Sequence, residues 1–183
     1  MKKILLIVGS ILLLNFGGCN DSPTQNEDMG NGEGVDTNND IEGYRVVFVD
    51  HFDTPPLETE NKWNTHPWWG REHSGNGSVM YYADESIVVD NGYLKINVDK
   101  IEDQSELPPP YNNPAWFQLD YTSGSINTHG KFEFTYGIVK FRAKAAKEKG
   151  IWPGVWMIVP RLYTVQNDTW GPEIDILEMS HLH

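Results

Sequence analysis

The chain has 183 residues, of which 39% are hydrophobic and 12% aromatic, a length that suits one domain with a substantial core. Its 26 acidic residues outnumber its 14 basic ones, giving a net charge of −12 with no Lys/Arg cluster, which argues against a nucleic-acid partner. With one cysteine, Cys19, the composition excludes an internal disulfide framework and a cysteine-based zinc site.

The N-terminal segment has the pattern of a secretory signal. Two lysines precede an almost unbroken apolar run from Ile4 to Leu14, which is too short for a bilayer span of about 20 residues. Two glycines then lead into Cys19, as before the lipidated cysteine of bacterial lipoproteins. We therefore expect residues 1–18 to be a lipoprotein signal peptide. A plain signal peptide with an incidental cysteine stays open, because Phe16 stands where Leu is preferred.

This pattern predicts a lipid anchor at Cys19 and a place in the bacterial cell envelope. The outer membrane or cell surface is favoured over the inner membrane. We expect residues 19–43 to be an acidic, disordered tether. After Cys19, this segment has seven acidic side chains, no basic one and few apolar ones. The remaining domain spans residues 44–183.

Apolar residues of this domain recur with period two, in short stretches separated by Gly, Pro, Asn and Asp, which predicts antiparallel strands. The predicted strands are Arg45–Val49, Ser86–Val89, Tyr93–Val98, Gly124–Thr128, Phe132–Tyr136, Ile138–Lys144, Val155–Val159 and Glu173–Met179. A turn at Asp90-Asn91-Gly92 precedes the strand at Tyr93. Because the only helical indication, Ala143–Glu148, is too short, the fold class is all-β, with a sandwich or jelly roll favoured.

Three acids, Glu173, Asp175 and Glu178, lie within six residues of an otherwise apolar segment. In a regular strand Glu178 would face away from the other two, but a β-bulge near Ile176 and Leu177 would return all three to one face. The aliphatic side chains of the strand, Ile174 and Ile176 among them, would then pack inward. Glu173 and Glu178 would then stand four strand steps apart, roughly 13 Å between Cα atoms. Inward-leaning side chains would bring the two carboxyls to about 5 to 6 Å, near the separation that a retaining glycosidase uses.

Other interpretations of these residues stay open. The acids could line a solvated strand face, or join His181 and His183 in a metal site, although the histidines do not have an established ligand spacing. The many tryptophans near loops suit stacking on sugar rings, while core packing is the alternative for each of them.

The acidic motif resembles the E-x-D-x-x-E signature of glycoside hydrolase family 16, and the resemblance extends over most of residues 44–178. Further similar segments follow in the family's order: Asp90–Leu94, Tyr121–Gly124, Tyr136–Gly137 with Phe141–Lys144, and Gly150–Met157. The resemblance implies a concanavalin-like β-jelly-roll sandwich of two antiparallel sheets with a sugar-binding cleft.

By the same resemblance, Glu173 is the nucleophile, Glu178 the acid/base and Asp175 the assisting carboxylate. The side chains of Trp152, Trp156 and Trp170 are candidates for the cleft wall. The implied partner is a polysaccharide. Catalysis needs no cofactor and no metal, and the sequence gives no support for the structural Ca²⁺ that is common in the family.

The implied reaction is endo-acting, retaining hydrolysis of β-1,3- or mixed-linkage β-glucan. Three departures from common family residues, Ser125, Lys140 and Pro172, leave a galactan hydrolase open as the alternative. A transglycosylase and a non-catalytic carbohydrate-binding lipoprotein on the same fold also stay open.

The length predicts a partial catalytic domain. Only 140 residues follow the tether, whereas all-β sandwiches often run to 200–250 residues. We expect the jelly roll to be incomplete at its C-terminus, and residues 19–183 alone to be poorly soluble and to have little or no activity.

Overall fold

The computed structural model describes residues 41–72, 79–103, 105, 107, 119–146, 148–159 and 172–179, together with the backbone of residues 4–16 and 73. A short 3₁₀ turn spans Asp84–Ser86. The strands are β1 Ile4–Phe16, β2 Tyr44–Asp50, β3 Glu72–His73, β4 Met80–Tyr82, β5 Ile87–Asp90, β6 Tyr93–Lys100, β7 Tyr121–Ser123, β8 Ile138–Lys144, β9 Gly154–Ile158 and β10 Glu173–Glu178. None of the ranges named here contains a helix long and apolar enough to cross a membrane.

The strands form two sheets. The larger has the order β2-β1-β6-β7-β4-β3, with β5 added on β6 and β8 on β1, while β9 and β10 form a second sheet. The all-β, two-sheet prediction is confirmed. One pair departs from the predicted antiparallel arrangement, since β4 and β7 run parallel.

Strand β1 lies inside the larger sheet. Its first half pairs with β6 and its second half with β2 along one edge, and β8 pairs along the other edge. Within the described residues, β2 and β8 reach the sheet through β1 alone. The segment predicted as a signal peptide is therefore a strand here. Cleavage before Cys19, which stays a prediction, would remove it, and Cys19 itself lies outside the described residues.

The predicted turn before Tyr93 is present. Asn91 and Gly92 both have positive φ, 52° and 73°, as a two-residue type I′ hairpin requires, and they join β5 to β6. A hydrogen bond from Lys95 to Asp90 spans the hairpin and holds the pKa of the Asp90 carboxyl below its usual value. The turn and its flanking pair therefore set the register of these two strands.

The main core lies between the larger sheet and the segments that cover it. Its buried members are Phe48, Phe52, Leu57, Trp63, Val89 and Leu94. The ring of Trp63 meets Phe48 edge-on at 5.3 Å, and its indole N–H donates to Asp50 at 2.8 Å. Trp63 is thus a core tryptophan whose polar atom is satisfied.

Two predicted strands do not form. In place of Gly124–Thr128, the strand is β7, which ends at Ser123. The next residue, Gly124, packs so closely on Ile87 that a Cβ there would lie 2.7 Å from the Ile87 side chain. Phe132–Tyr136 is irregular, although Phe132 packs on Phe48 at 4.9 Å. Its alternating pattern comes from core packing rather than from a sheet ladder.

Candidate active site

Strand β10 carries the three acids, and its pairing with β9 decides where they point. Glu173 is opposite Ile158, Asp175 opposite Trp156, and Glu178 opposite Gly154. The register shifts between Asp175 and Leu177, so the expected bulge at Ile176 is present. The prediction of a bulge in this strand is confirmed.

The bulge places the three carboxylates on one face. On β9, residues 154, 156 and 158 share a face because they are two apart, and directly paired residues in an antiparallel ladder project to the same side. Glu173, Asp175 and Glu178 pair with these three residues. Without the extra residue, Glu178 would project to the opposite side.

The other face of β10 is more exposed than predicted. Ile174 and Ile176, expected to pack inward, are 61% and 39% exposed. Among the described residues, β10 pairs with β9 and with no other strand. The inward-packing prediction is therefore wrong for this structure.

Glu178 has a hydrogen-bond partner in Trp152. The indole Nε1–H of Trp152 donates to Glu178 Oε1 at 3.0 Å, and the Trp152 side chain is among the exposed large hydrophobic groups. The backbone ladder continues past the strand, with Met179 N–H donating to the Pro153 carbonyl at 3.2 Å. The segment before β9 and the end of β10 are therefore fixed against each other.

Aromatic rings gather beside the acids. Trp156, the β9 partner of Asp175, lies 6.1 Å from Trp68 and is stacked at 6.5 Å on Trp69, between ring centroids. His129 completes the group, 5.6 Å from Trp68 with the two planes 30° apart. We call Trp68, Trp69, His129 and Trp156 the aromatic cluster. Its flat rings next to three carboxylates suit a sugar ring with apolar faces and hydroxyl edges.

The loop that carries Trp68 and Trp69 is tied down by Arg71. Its guanidinium donates to both carboxylate oxygens of Asp84, at 2.8 and 3.0 Å, and to the Tyr82 carbonyl at 2.8 Å. Burial acts to raise the pKa of Asp84, but hydrogen bonds from Arg71 and Thr65 outweigh it, and the pKa lies below its usual value. The ion pair thus holds the aromatic loop against β4 and the 3₁₀ turn.

The structure brings together most of the predicted site. Trp152 and Trp156 lie beside the acids, while Trp170, His181 and His183 lie outside the described residues. Trp68, Trp69 and His129 were not singled out as site residues. Proximity between residues some 60 positions apart has no local signal in the sequence; the only hint was the loop position of the two tryptophans.

Two further features of the described residues bear on the site. The described residues contain no group of three or more His, Cys, Asp or Glu side chains arranged to hold a metal ion. A cavity of about 280 Å³ lies elsewhere, lined by residues that include Asp50, Phe52 and Lys62, and none of its lining residues belongs to β9 or β10. The three acids therefore lie on an open strand face and not in this cavity.

Comparison with known proteins gives a family match. Residues 75–180 match the family described as "Glycosyl hydrolases family 16". The chain is 30% identical over 153 residues to "Glucan endo-1,3-beta-glucosidase A1" of Niallia circulans, covering 79% of this chain and 21% of that protein. It is 31% identical over 151 residues to "Beta-glucanase" of Rhodothermus marinus, covering 79% of this chain and 47% of that protein.

A third relative is named for a different activity. The chain is 32% identical over 97 residues to "Keratan-sulfate endo-1,4-beta-galactosidase" of Sphingobacterium multivorum, covering 49% of this chain and 23% of that protein. The chain thus spans between about a fifth and a half of the length of these three relatives. No solved structure matches it.

Proposed function

Since this chain belongs to glycosyl hydrolase family 16, we propose that it provides the carboxylates of an endo-acting, retaining β-glucan hydrolase. The substrate is a β-1,3- or mixed-linkage glucan; one relative named as a glucan endo-1,3-β-glucosidase and another named as a β-glucanase support a β-glucan. The observation that carries the proposal is the bulge in β10, which sets Glu173, Asp175 and Glu178 on one face.

The chemistry is a double displacement. Glu173 attacks the anomeric carbon while Glu178 gives a proton to the departing glycosidic oxygen, forming a covalent glycosyl intermediate. Glu178 then takes a proton from the water that releases the sugar. Asp175, between the two on the same face, assists them. These roles rest on the family resemblance, and the register supports them by giving the three side chains a common face.

The aromatic cluster supports the choice of a polysaccharide. Indole faces stack on the apolar C–H faces of pyranoses, and Trp69 is 38% exposed beside the acids. Trp156 would form the wall next to Asp175. The predicted contribution of Trp170 to the same wall stays a prediction.

Matched carboxylate variants, made in a complete form of the domain, test the roles. Glu173→Gln should abolish turnover of glucan. Glu178→Ala should lose activity on glucan but, with a dinitrophenyl β-glycoside and added azide, form a β-glycosyl azide, because the nucleophile survives. Glu102→Gln, which changes an exposed acid outside β10, is the control and should leave the rate unchanged. Full activity in Glu173→Gln, or an azide product in it, would contradict the assignment.

A β-galactan is the second candidate substrate. The relative named for keratan sulfate is 32% identical to this chain, the same level as the glucanases. Reducing-sugar release from laminarin, mixed-linkage β-glucan and unsulfated and sulfated β-1,4-galactans, compared at equal enzyme concentration, decides between the two. The glucan proposal fails if only the galactans are cleaved.

Attachment to the bacterial envelope is a separate proposal. It rests on the lysines, the apolar run and the glycines before Cys19. An acyl anchor followed by a flexible tether would leave the domain free to reach polymer at the cell surface.

A further inference from the structure

The contact between Trp152 and Glu178 is polar. The indole edge, not the ring face, meets the carboxylate, through Nε1–H to Oε1 at 3.0 Å. Within the part of the chain that the structure describes, no Lys, Arg or His lies at ion-pair distance from Glu178. The indole is therefore the group that the structure shows holding this carboxylate.

Two backbone features fix the donor. Gly154 pairs with Glu178 in the β9–β10 ladder, and Met179 N–H donates to the Pro153 carbonyl one step further along. The segment that bears Trp152 is thus paired with the end of β10 at Glu178 and hydrogen-bonded to it at the next residue.

We infer that Trp152 is a positioning residue for the acid/base glutamate: its indole N–H orients the Glu178 carboxyl for proton transfer to the leaving oxygen. This inference rests on the proposed function, and it gives Trp152 a role other than forming the cleft wall by stacking. Its contact with the reaction is through Glu178.

The hydrogen bond distinguishes the two oxygens of Glu178. An N–H donor needs an acceptor lone pair, so in the protonated acid Oε1 is the carbonyl-type oxygen and the proton sits on Oε2. In the first step that proton moves from Oε2 to the glycosidic oxygen. The bond from that oxygen to the anomeric carbon breaks with its electron pair going to oxygen, and Glu173 forms the new bond to carbon. Losing the indole N–H frees the carboxyl to rotate away from this geometry.

Trp152→Phe separates positioning from stacking, because phenylalanine keeps an aromatic face and removes the donor. The assay uses a complete form of the domain, with aryl β-glycosides of glucan oligosaccharides that differ only in the phenol. A phenol that is a poor leaving group needs the proton of Glu178, whereas dinitrophenol departs without it. We expect kcat/KM, which reports the step that expels the phenol, to fall on the order of tenfold or more for the poor leaving group, with little change for dinitrophenol.

Trp69→Phe is the matched control, since Trp69 belongs to the aromatic cluster beside Trp156 rather than to the Glu178 contact. It should change KM to a similar extent for both aryl glycosides and leave the dependence on the leaving group unaltered. An equal loss for both phenols in Trp152→Phe would overturn the positioning role.

A spectroscopic test does not depend on turnover. In ¹⁵N-labelled chain, the indole ¹H–¹⁵N resonance of Trp152 should move upfield in proton shift in Glu178→Ala and stay in place in Glu102→Gln. An unmoved resonance in Glu178→Ala would overturn the inference. If this resonance moves but the parent chain cleaves none of the aryl glycosides, the proposed hydrolase function fails and the contact stands.

Discussion

Removing Ile176 tests whether the bulge is what gathers the carboxylates. In the β9–β10 ladder, Glu173 is opposite Ile158 and Glu178 is opposite Gly154. The stretch between these two pairs has four steps on β9 and five on β10, and the extra step on β10 is the bulge. Deleting Ile176 removes the extra residue. Glu178 stays opposite Gly154, and the Cα atoms of Glu173 and Glu178 stay roughly 13 Å apart.

Deleting Ile174 instead is the matched control, because it removes the same residue type from the same strand. The bulge remains, Asp175 keeps its partner Trp156, and Glu173 moves one step and turns to the opposite face. This variant loses the nucleophile from the face that holds the acid/base.

The two deletions should therefore differ widely in rate. We expect kcat/KM on glucan to stay within about tenfold of the parent when Ile176 is removed, and to fall by at least about 10²-fold when Ile174 is removed, comparable with losing a catalytic carboxylate. Ile176 is 39% exposed, so its loss costs little buried surface. Circular dichroism shows whether each variant is folded. Equal activity of the two folded variants, or a larger loss without Ile176, would refute the role of the bulge.

Three further predictions concern the supports of the site and the N-terminus. Arg71→Met should raise KM by loosening the aromatic loop and lower the urea midpoint at neutral pH. Because the pKa of Asp84 is lowered, its pair with Arg71 stabilises the fold above about pH 4 and is lost as the pH falls through the lowered value. The difference between parent and variant should therefore narrow in acid to the part that comes from the Arg71–Tyr82 hydrogen bond, and a difference that does not narrow would contradict the pairing. Gly124→Ala should destabilise by about 1–3 kcal/mol in urea titration, because the new Cβ would lie 2.7 Å from Ile87; an unchanged midpoint would show that this contact relaxes freely. Cys19→Ser should move the protein from membrane to soluble fractions, and the intact mass of the parent should show acylated Cys19 as its first residue. A mature chain that retains residues 4–16 would contradict the predicted cleavage and would keep β1 in the sheet.

The local sequence pattern predicted those elements whose conformation depends on neighbouring residues. The turn at Asn91 and Gly92 follows from their tolerance of positive φ, and the bulge in β10 follows from three acids that only an extra residue can place together. In the same way, alternation predicted β2, β6 and β8 to within a residue or two.

Tertiary packing decided the rest. Phe132 alternates with its neighbours because it packs on Phe48, not because it pairs with a strand. The aromatic cluster joins Trp68 to His129 across 61 positions, and no local pattern reports such a contact. The apolar run Ile4–Phe16 has the composition of a signal and of a buried strand alike, and periodicity does not separate the two.

The anomeric configuration of the first product tests the central claim most directly. Hydrolysis of a β-glucan oligosaccharide followed by ¹H NMR at early time, before mutarotation, reports which anomer is released. Two glutamates on one face of β10, acting as nucleophile and acid/base, predict that the β-anomer appears first and the α-anomer grows in later. First appearance of the α-anomer would mean that water attacks directly, and would contradict the assignment of Glu173 as nucleophile.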